Sequence, residues 1–267
     1  MSANSEGIHR GGAVPALPVR RVPLDAPWDW LAKGWRDLSA APLISLTYGA
    51  VFALAAWGMT FGLALAGLQS LMLMLAGGFM LIGPLLAVGL YEMSRRLEKG
   101  ETVTLGHALN AGRAAKGQLG FFAVILMLAF LAWVQIAFLL LMLFLGEASV
   151  PDASAFVTTL FFTGSGRGLL VAGTLVGAAI AAIVFSISAV AVPLLLDRDV
   201  PALTAMATSV GAVSTNVGPM LLWAALIAGI MILGLATVFA GLAVTFPLVG
   251  HATWHAYRAL VEPAATL

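Results

Sequence analysis

An all-α, polytopic transmembrane helical bundle is the fold that this sequence predicts, on three observations. Of the 267 residues, 61% are hydrophobic and 9% charged, with a mean hydropathy of +1.02. An average soluble domain is about half apolar and about a quarter charged, so this chain lacks the charge to cover a water-facing surface. Four stretches, residues 43–66, 71–91, 119–145 and 168–196, contain no Asp, Glu, Lys or Arg. Each is long enough for the ~20 residues that a hydrocarbon layer of ~30 Å requires. Finally, the segments ahead of the spans repeat apolar residues at helical spacing. A soluble enzyme is excluded, and so is a disordered scaffold, which needs the opposite composition.

Residues 1–24 are rich in Gly, Pro and Ser and hold no apolar run of the signal-peptide kind. They are expected to form a disordered cytoplasmic tail, so that insertion begins at an internal helix, and a single transmembrane domain then occupies residues 25–262. Asp25-Ala26-Pro27 opens a segment in which Trp28, Leu31, Trp35 and Leu38 share one face. Thr104 is placed to cap a segment carrying Leu105, Ala108, Leu109 and Gly112. Asp199-Val200-Pro201 opens another, with Leu203, Met206, Val210 and Val213. Each reads as a short interfacial amphipathic helix with an N-cap, two of them with Pro in the first turn. Each leads into a span, at Pro42, Gly120 or Pro219.

The last apolar stretch, from Pro219 to Tyr257, is too long for one upright helix at ~1.5 Å per residue and short for two. Internal similarity divides it. Pro84 is followed at +7, +11 and +13 by Tyr91, Arg95 and Leu97, and Pro247 at the same offsets by Trp254, Arg258 and Leu260. Pro193 breaks the pattern, with Val200 at +7. The simplest account is three units, each an interfacial helix followed by a transmembrane hairpin. The third hairpin then comprises spans 219–235 and 237–257, and six spans are preferred to five. With both ends on one side, every basic residue except Arg167 falls on that side. Lys and Arg accumulate in cytoplasmic loops, so the N-terminus is expected to be cytoplasmic and, with six spans, the C-terminus too.

Residues 30–38 (WLAKGWRDL), Gly78-Phe79, Gly83-Pro84-Leu85, Gly89-Leu90-Tyr91-Glu92 and residues 94–101 (SRRLEKGE) resemble a family of bacterial integral membrane proteins catalogued as domain of unknown function 2189. The ending Pro247-Leu248-Val249-Gly250-His251-Ala252-Thr253-Trp254-His255-Ala256-Tyr257-Arg258 is similar to it as well, and the resemblance extends from about Val19 to Val261. It implies a multi-pass protein of the bacterial inner membrane and no assigned activity. Some members carry a label linking them to cytochrome oxidase. The three-unit pattern is similar, more loosely, to membrane domains found beside glycerophosphodiester phosphodiesterases, whose soluble catalytic domain has no counterpart in this sequence.

Several residues are candidates for function. His251 and His255, one helical turn apart, would share a face and could ligate a metal or haem iron. The alternative places them at the interface, bonded to headgroups or water. An oxidase core needs more buried histidines than His9 and His107 can add, so no cofactor or metal is expected. Glu92, Arg95, Arg96, Glu98 and Lys99 form a mixed-sign patch, either a docking site for a partner or anionic lipid or a solvated helix end. Gln135, mid-span, would clamp a neighbouring helix or line a solute path. Gly58-x-x-x-Gly62 and Gly173-x-x-x-Gly177 would admit close helix approach, and Pro84, Pro193 and Pro247 would kink their spans. Trp28, Trp30, Trp35, Arg36 and Trp254 are read as interfacial anchors.

There is no phosphate-binding Gly-Lys-Ser/Thr loop, no His-Glu-x-x-His, no Gly-x-Ser-x-Gly and no Cys. The outer loop, about residues 146–167, holds only Glu147 and Asp152 as acids. The net charge of +1 argues against nucleic acid. The expected role is therefore a non-catalytic accessory, scaffold or lipid-interacting protein whose partners are the phospholipid bilayer and either another membrane protein or a second copy of itself. The alternative is a transporter or channel for a neutral or apolar solute.

Overall fold

A computed structural model describes residues 16–68, 71–113, 115–146 and 153–263. Regular structure among them is helical, apart from one antiparallel bridge between Val19 and Val261. The first unit comprises α1 (Ala26–Ala40), α2 (Pro42–Leu65), α3 (Leu71–Leu86) and α4 (Val88–Glu98). The second comprises α5 (Leu105–Asn110) with a 3-10 turn, α6 (Lys116–Leu145), α7 (Ala153–Phe162), α8 (Gly164–Ser188) and α9 (Ala191–Asp197). The third comprises α10 (Ala202–Thr215), α11 (Val217–Ala236) and α12 (Leu242–Leu260).

Among the described residues, five helical runs are long and apolar enough to cross a membrane: Pro42–Leu65, Met74–Glu98, Lys116–Leu145, Gly164–Asp197 and Val217–Ala236. The stretch of the last expected span forms a helix, α12, nineteen residues long, but it falls short of these five in hydropathy. The reason is its second half, where His251, His255 and Arg258 replace apolar residues. That half is enclosed by protein rather than lipid, so its polar atoms find partners inside the bundle. α11 and α12 are joined by a tight turn in which Val238 and Phe239 take φ of 55° and 66°, a left-handed conformation costly for a β-branched residue. The Trp57 indole of α2 donates to the Val238 carbonyl at 2.6 Å and holds the turn.

Local signals held in part. The Thr104 hydroxyl accepts from the His107 N–H at 3.2 Å and caps α5 as expected. Asp25 sits at the N-cap of α1 without a side-chain bond, and α10 starts after Pro201 rather than at Asp199. Within the expected outer loop the chain forms α7, capped back onto α8 by Thr163, whose hydroxyl accepts from the Gly166 N–H at 3.0 Å. Glu147 and Asp152 lie outside the described residues, as do residues 1–15. The rest of the expected tail is not loose. Arg20 N–H donates to the Leu260 carbonyl, Glu262 N–H to the Pro18 carbonyl, and Leu17 N–H to the Thr208 hydroxyl. Asn216 binds this strap on both edges, accepting from Val22 N–H and donating to the Arg20 carbonyl.

The core lies at the end of the bundle where the strap of residues 17–22 meets residues 260–262. There α4, α9 and the second half of α12 pack together, with Leu90, Val190, Val192, Leu194, Ala252 and Ala256 fully buried. Close approach is made by glycines other than those of the two small-residue motifs. A Cβ on Gly34 of α1 would stand 2.6 Å from the Ala252 nitrogen of α12, and one on Gly49 of α2 would meet the Ala243 carbonyl. Around Gly58, Gly62 and Gly173 there is open space, and Gly177 faces only the Trp133 ring. A stripe of small residues permits contact without specifying where a neighbour lies.

Proline breaks mark the boundary of this core. The α8–α9 run is interrupted at Ala189–Val190, just ahead of Pro193, and the α3–α4 run at Ala87, just after Pro84. α12 continues through Pro247. Beyond the breaks, α3, α6 and α8 pack on one another, α11 and α2 pack on α12, and α8 and α11 barely touch.

Candidate functional site

The polar end is tied together by side chains from all three units. Glu92 on α4 is 5% exposed, and its two oxygens accept from Arg95 and Arg96 at 2.7–2.8 Å. Glu98 accepts from the Trp254 indole at 2.9 Å and from Arg258 at 3.0 Å, joining α4 to α12. The Tyr257 hydroxyl donates to Asp197 of α9 at 2.7 Å. His255 pairs with Asp37 of α1 at 2.8 Å.

This network corrects the expected patch. Glu92 is no surface group but a buried anion neutralised from its own helix, because a carboxylate leaving water must be paired. Arg95 and Arg96 are correspondingly committed, and Lys99 alone of the group stands exposed without an ion-pair partner among the described residues. Two expected anchors are corrected as well. Trp30 is buried against Trp223, ring edge to ring face at 5.6 Å, and Trp254 is buried above Glu98. A large ring facing protein on both sides gains more from packing than from the interface. Trp28 and Trp35, at 55% and 53% exposure, do face outward.

His251 and His255 do not converge on a common ligand. His251 is fully buried, with Nε2 3.0 Å from the Ser45 hydroxyl of α2 and Nδ1 2.8 Å from the Ser94 hydroxyl of α4. Both ring nitrogens are therefore engaged, one donating its N–H and the other accepting through its lone pair. The arrangement is a polar staple joining three helices. Neither serine stands out in the sequence, because a hydroxyl eight or more helices away gives no local signal.

Two concave features remain. At the polar end Lys33, Arg36 and Asp37 of α1, Glu98 of α4, and His255 and Arg258 of α12 line a cleft of about 380 Å³. Away from that end lies an apolar cavity of about 950 Å³ between α3, α6 and α8 on one side and α11 and α12 on the other. None of the described residues that line it is charged. Its floor is the edge of the core, where Tyr91 and Ser188 line it, each almost wholly buried and without a hydrogen-bond partner among the described residues. In the sequence Tyr91 stands out as the residue seven places after Pro84 and as part of the Gly89-Leu90-Tyr91-Glu92 motif, neither of which places it at a cavity.

Gln135 takes neither of its expected roles within this chain. It is exposed on α6, does not line the cavity, and has no hydrogen-bond partner among the described residues. The clamp on α6 is Trp133, whose indole donates to the Met74 carbonyl of α3 at 2.8 Å and whose ring lines the cavity.

No curated protein and no solved structure matches this chain. A family model does, over a narrower stretch than the motifs quoted above, leaving α1, α2 and α10–α12 outside it. Over residues 71–197, from the start of α3 to the end of α9, the chain matches the family described as "Predicted integral membrane protein (DUF2189)".

Proposed function

We propose that this protein is a non-catalytic, lipid-interacting component of the bacterial inner membrane, crossing it six times as one domain over residues 25–262, with both termini in the cytoplasm. The apolar cavity carries the reading. At about 950 Å³ it stands at the top of the ~300–1,000 Å³ range of pockets that hold small molecules. Apolar cavities stay dry, and an unfilled one forfeits the dispersion contacts of its whole lining. Within a hydrocarbon layer the available filler is hydrocarbon. A lipid chain entering between α8 and α11 would contact Trp133, Leu169 and Ile227 along its length. The free hydroxyls of Tyr91 and Ser188 would offer hydrogen bonds to an ester or hydroxyl group at the floor.

The polar end supports the orientation. Arg20, Arg95, Arg96, Arg198 and Arg258 gather there with the strap and the C-terminal segment, as the excess of cytoplasmic Lys and Arg requires. Movement of an apolar solute through the protein is less well supported, because the cavity ends at the close-packed core formed by α4, α9 and α12.

Filling the cavity tests the proposal. Gly173 and Ala224 line it, and a Cβ at Gly173 meets nothing within 4 Å. Gly173→Phe and Ala224→Phe should therefore fold normally yet retain less lipid after gentle-detergent purification, read by native mass spectrometry. Equal lipid retention by wild type and both variants would refute the cavity as the lipid site.

A further inference from the structure

We infer that the cleft between α1 and α12 binds a phosphate group, that of an anionic phospholipid in the leaflet at the polar end. This site is separate from the apolar cavity. The two use different faces of α12, with Val249, Gly250 and Thr253 on the cavity and His255 and Arg258 on the cleft.

The argument rests on which charges in the cleft are already spent. Both carboxylates have partners, Asp37 with His255 and Glu98 with Trp254 and Arg258. Lys33 and Arg36 have none. No carboxylate lies within ion-pair distance of either among the described residues, although both line the cleft, one helical turn apart on α1. With Arg258 they place three cations around two acids, a net excess of positive charge before the histidine is counted. An Arg guanidinium beside a Lys ammonium suits a phosphate, the first by its planar fork and the second as a compact point charge.

The level of the cleft favours a lipid as the source. Trp28 and Trp35 on the same helix are more than half exposed, and amphipathic rings of this kind settle among headgroups. Gly34, between Lys33 and Trp35, is pressed onto Ala252, so α1 is held at a fixed height against α12. The cations therefore present themselves at a set position rather than on a mobile arm.

The test uses the full chain in nanodiscs of phosphatidylcholine, with and without phosphatidylglycerol, and in detergent with inorganic phosphate or diacylglycerol as separate probes. Retained lipid and thermal stabilisation are the readouts. Phosphatidylglycerol should bind and stabilise, diacylglycerol should not, and rising salt should weaken the effect. The double variant Lys33→Gln/Arg36→Gln removes only unpaired, exposed side chains and should keep the fold. It should weaken phosphatidylglycerol binding by about thirtyfold, given the attraction of each basic residue near an anionic surface. Lys99→Gln, outside the cleft, should leave it unchanged. Binding of inorganic phosphate with the same dependence on Lys33 and Arg36 would uphold phosphate as the ligand and transfer its source to solution. Lipid binding indifferent to the double variant, or equal binding of diacylglycerol, overturns the inference.

Discussion

His251→Leu replaces a fully buried ring by a side chain of related bulk and strands two hydroxyls, those of Ser45 and Ser94, which are themselves fully buried. Hydrogen bonds between membrane helices contribute ~0.6–2 kcal/mol each, and a buried polar group left without a partner costs ~1–3 kcal/mol. Two such groups set an upper range near 6 kcal/mol. A helical serine, however, can turn its hydroxyl back to the carbonyl four residues earlier, here Ala41 for Ser45 and Leu90 for Ser94. With that relief the expected loss is about 2–4 kcal/mol. Reversible unfolding in mixed micelles, titrated with a denaturing detergent, measures it directly. The triple variant Ser45→Ala/His251→Leu/Ser94→Ala is the sharper comparison, since replacing all partners of a buried network by apolar groups is close to neutral. It should be more stable than His251→Leu alone. If the single variant matches wild type, or the triple variant is no better than the single, the staple does not hold α2, α4 and α12 together in the way argued.

Two other outcomes are expected. Asn216→Ala removes the acceptor of Val22 N–H and the donor to the Arg20 carbonyl. Hydrogen exchange at Val22 should quicken by about five- to thirtyfold, corresponding to ~1–2 kcal/mol, while amides of α12 stay protected; unchanged exchange at Val22 would show that the strap is held from elsewhere. For the topology, reporter domains fused after Leu235 and at the C-terminus should report opposite sides of the membrane. Same-side signals would mean that the α11–α12 hairpin does not cross.

Much of the architecture was legible because lipid imposes a simple demand. α2, α6, α11 and the α8–α9 run are helices whose outer surfaces face hydrocarbon, so their sequences are continuous apolar runs and their ends fall within a few residues of expectation, although the break at Ala189–Val190 was not foreseen. The α11–α12 turn was found differently. Val238 and Phe239 are poor turn residues, and no local signal marks the place; only the shared spacing after Pro84 and Pro247 divided the stretch. α7 was missed for want of either kind of signal.

The candidate sites were less legible, for a related reason. Sequence shows that Trp30, Trp254, Glu92 and His251 are rings and charges near span ends, where interfacial roles are usual. It does not show that α1 and α4 wrap the second half of α12 and enclose them. Once a segment is surrounded by protein, hydropathy ceases to report its depth, and the partner of each polar atom is decided by tertiary neighbours. Asp37 for His255 and Asp197 for Tyr257 are both distant in sequence.

The proline breaks connect these two environments. In each of the α3–α4 and α8–α9 runs the half before the break borders the cavity and the half after it enters the core. A break inside a membrane frees backbone groups that must be satisfied nearby, at a cost of several kcal/mol otherwise. Here neighbouring helices meet much of that need. The Tyr48 hydroxyl of α2 donates to the Leu86 carbonyl at 2.8 Å, and the Ser209 hydroxyl of α10 accepts from the Val190 N–H at 3.3 Å. Pro247 likewise has no N–H to offer the Ala243 carbonyl one turn earlier in α12, and Gly49 of α2 stands against that carbonyl. Such fixed breaks allow the outer halves to stand apart without loosening the core. An apolar cavity of this size can therefore persist beside a close-packed floor rather than collapsing onto it.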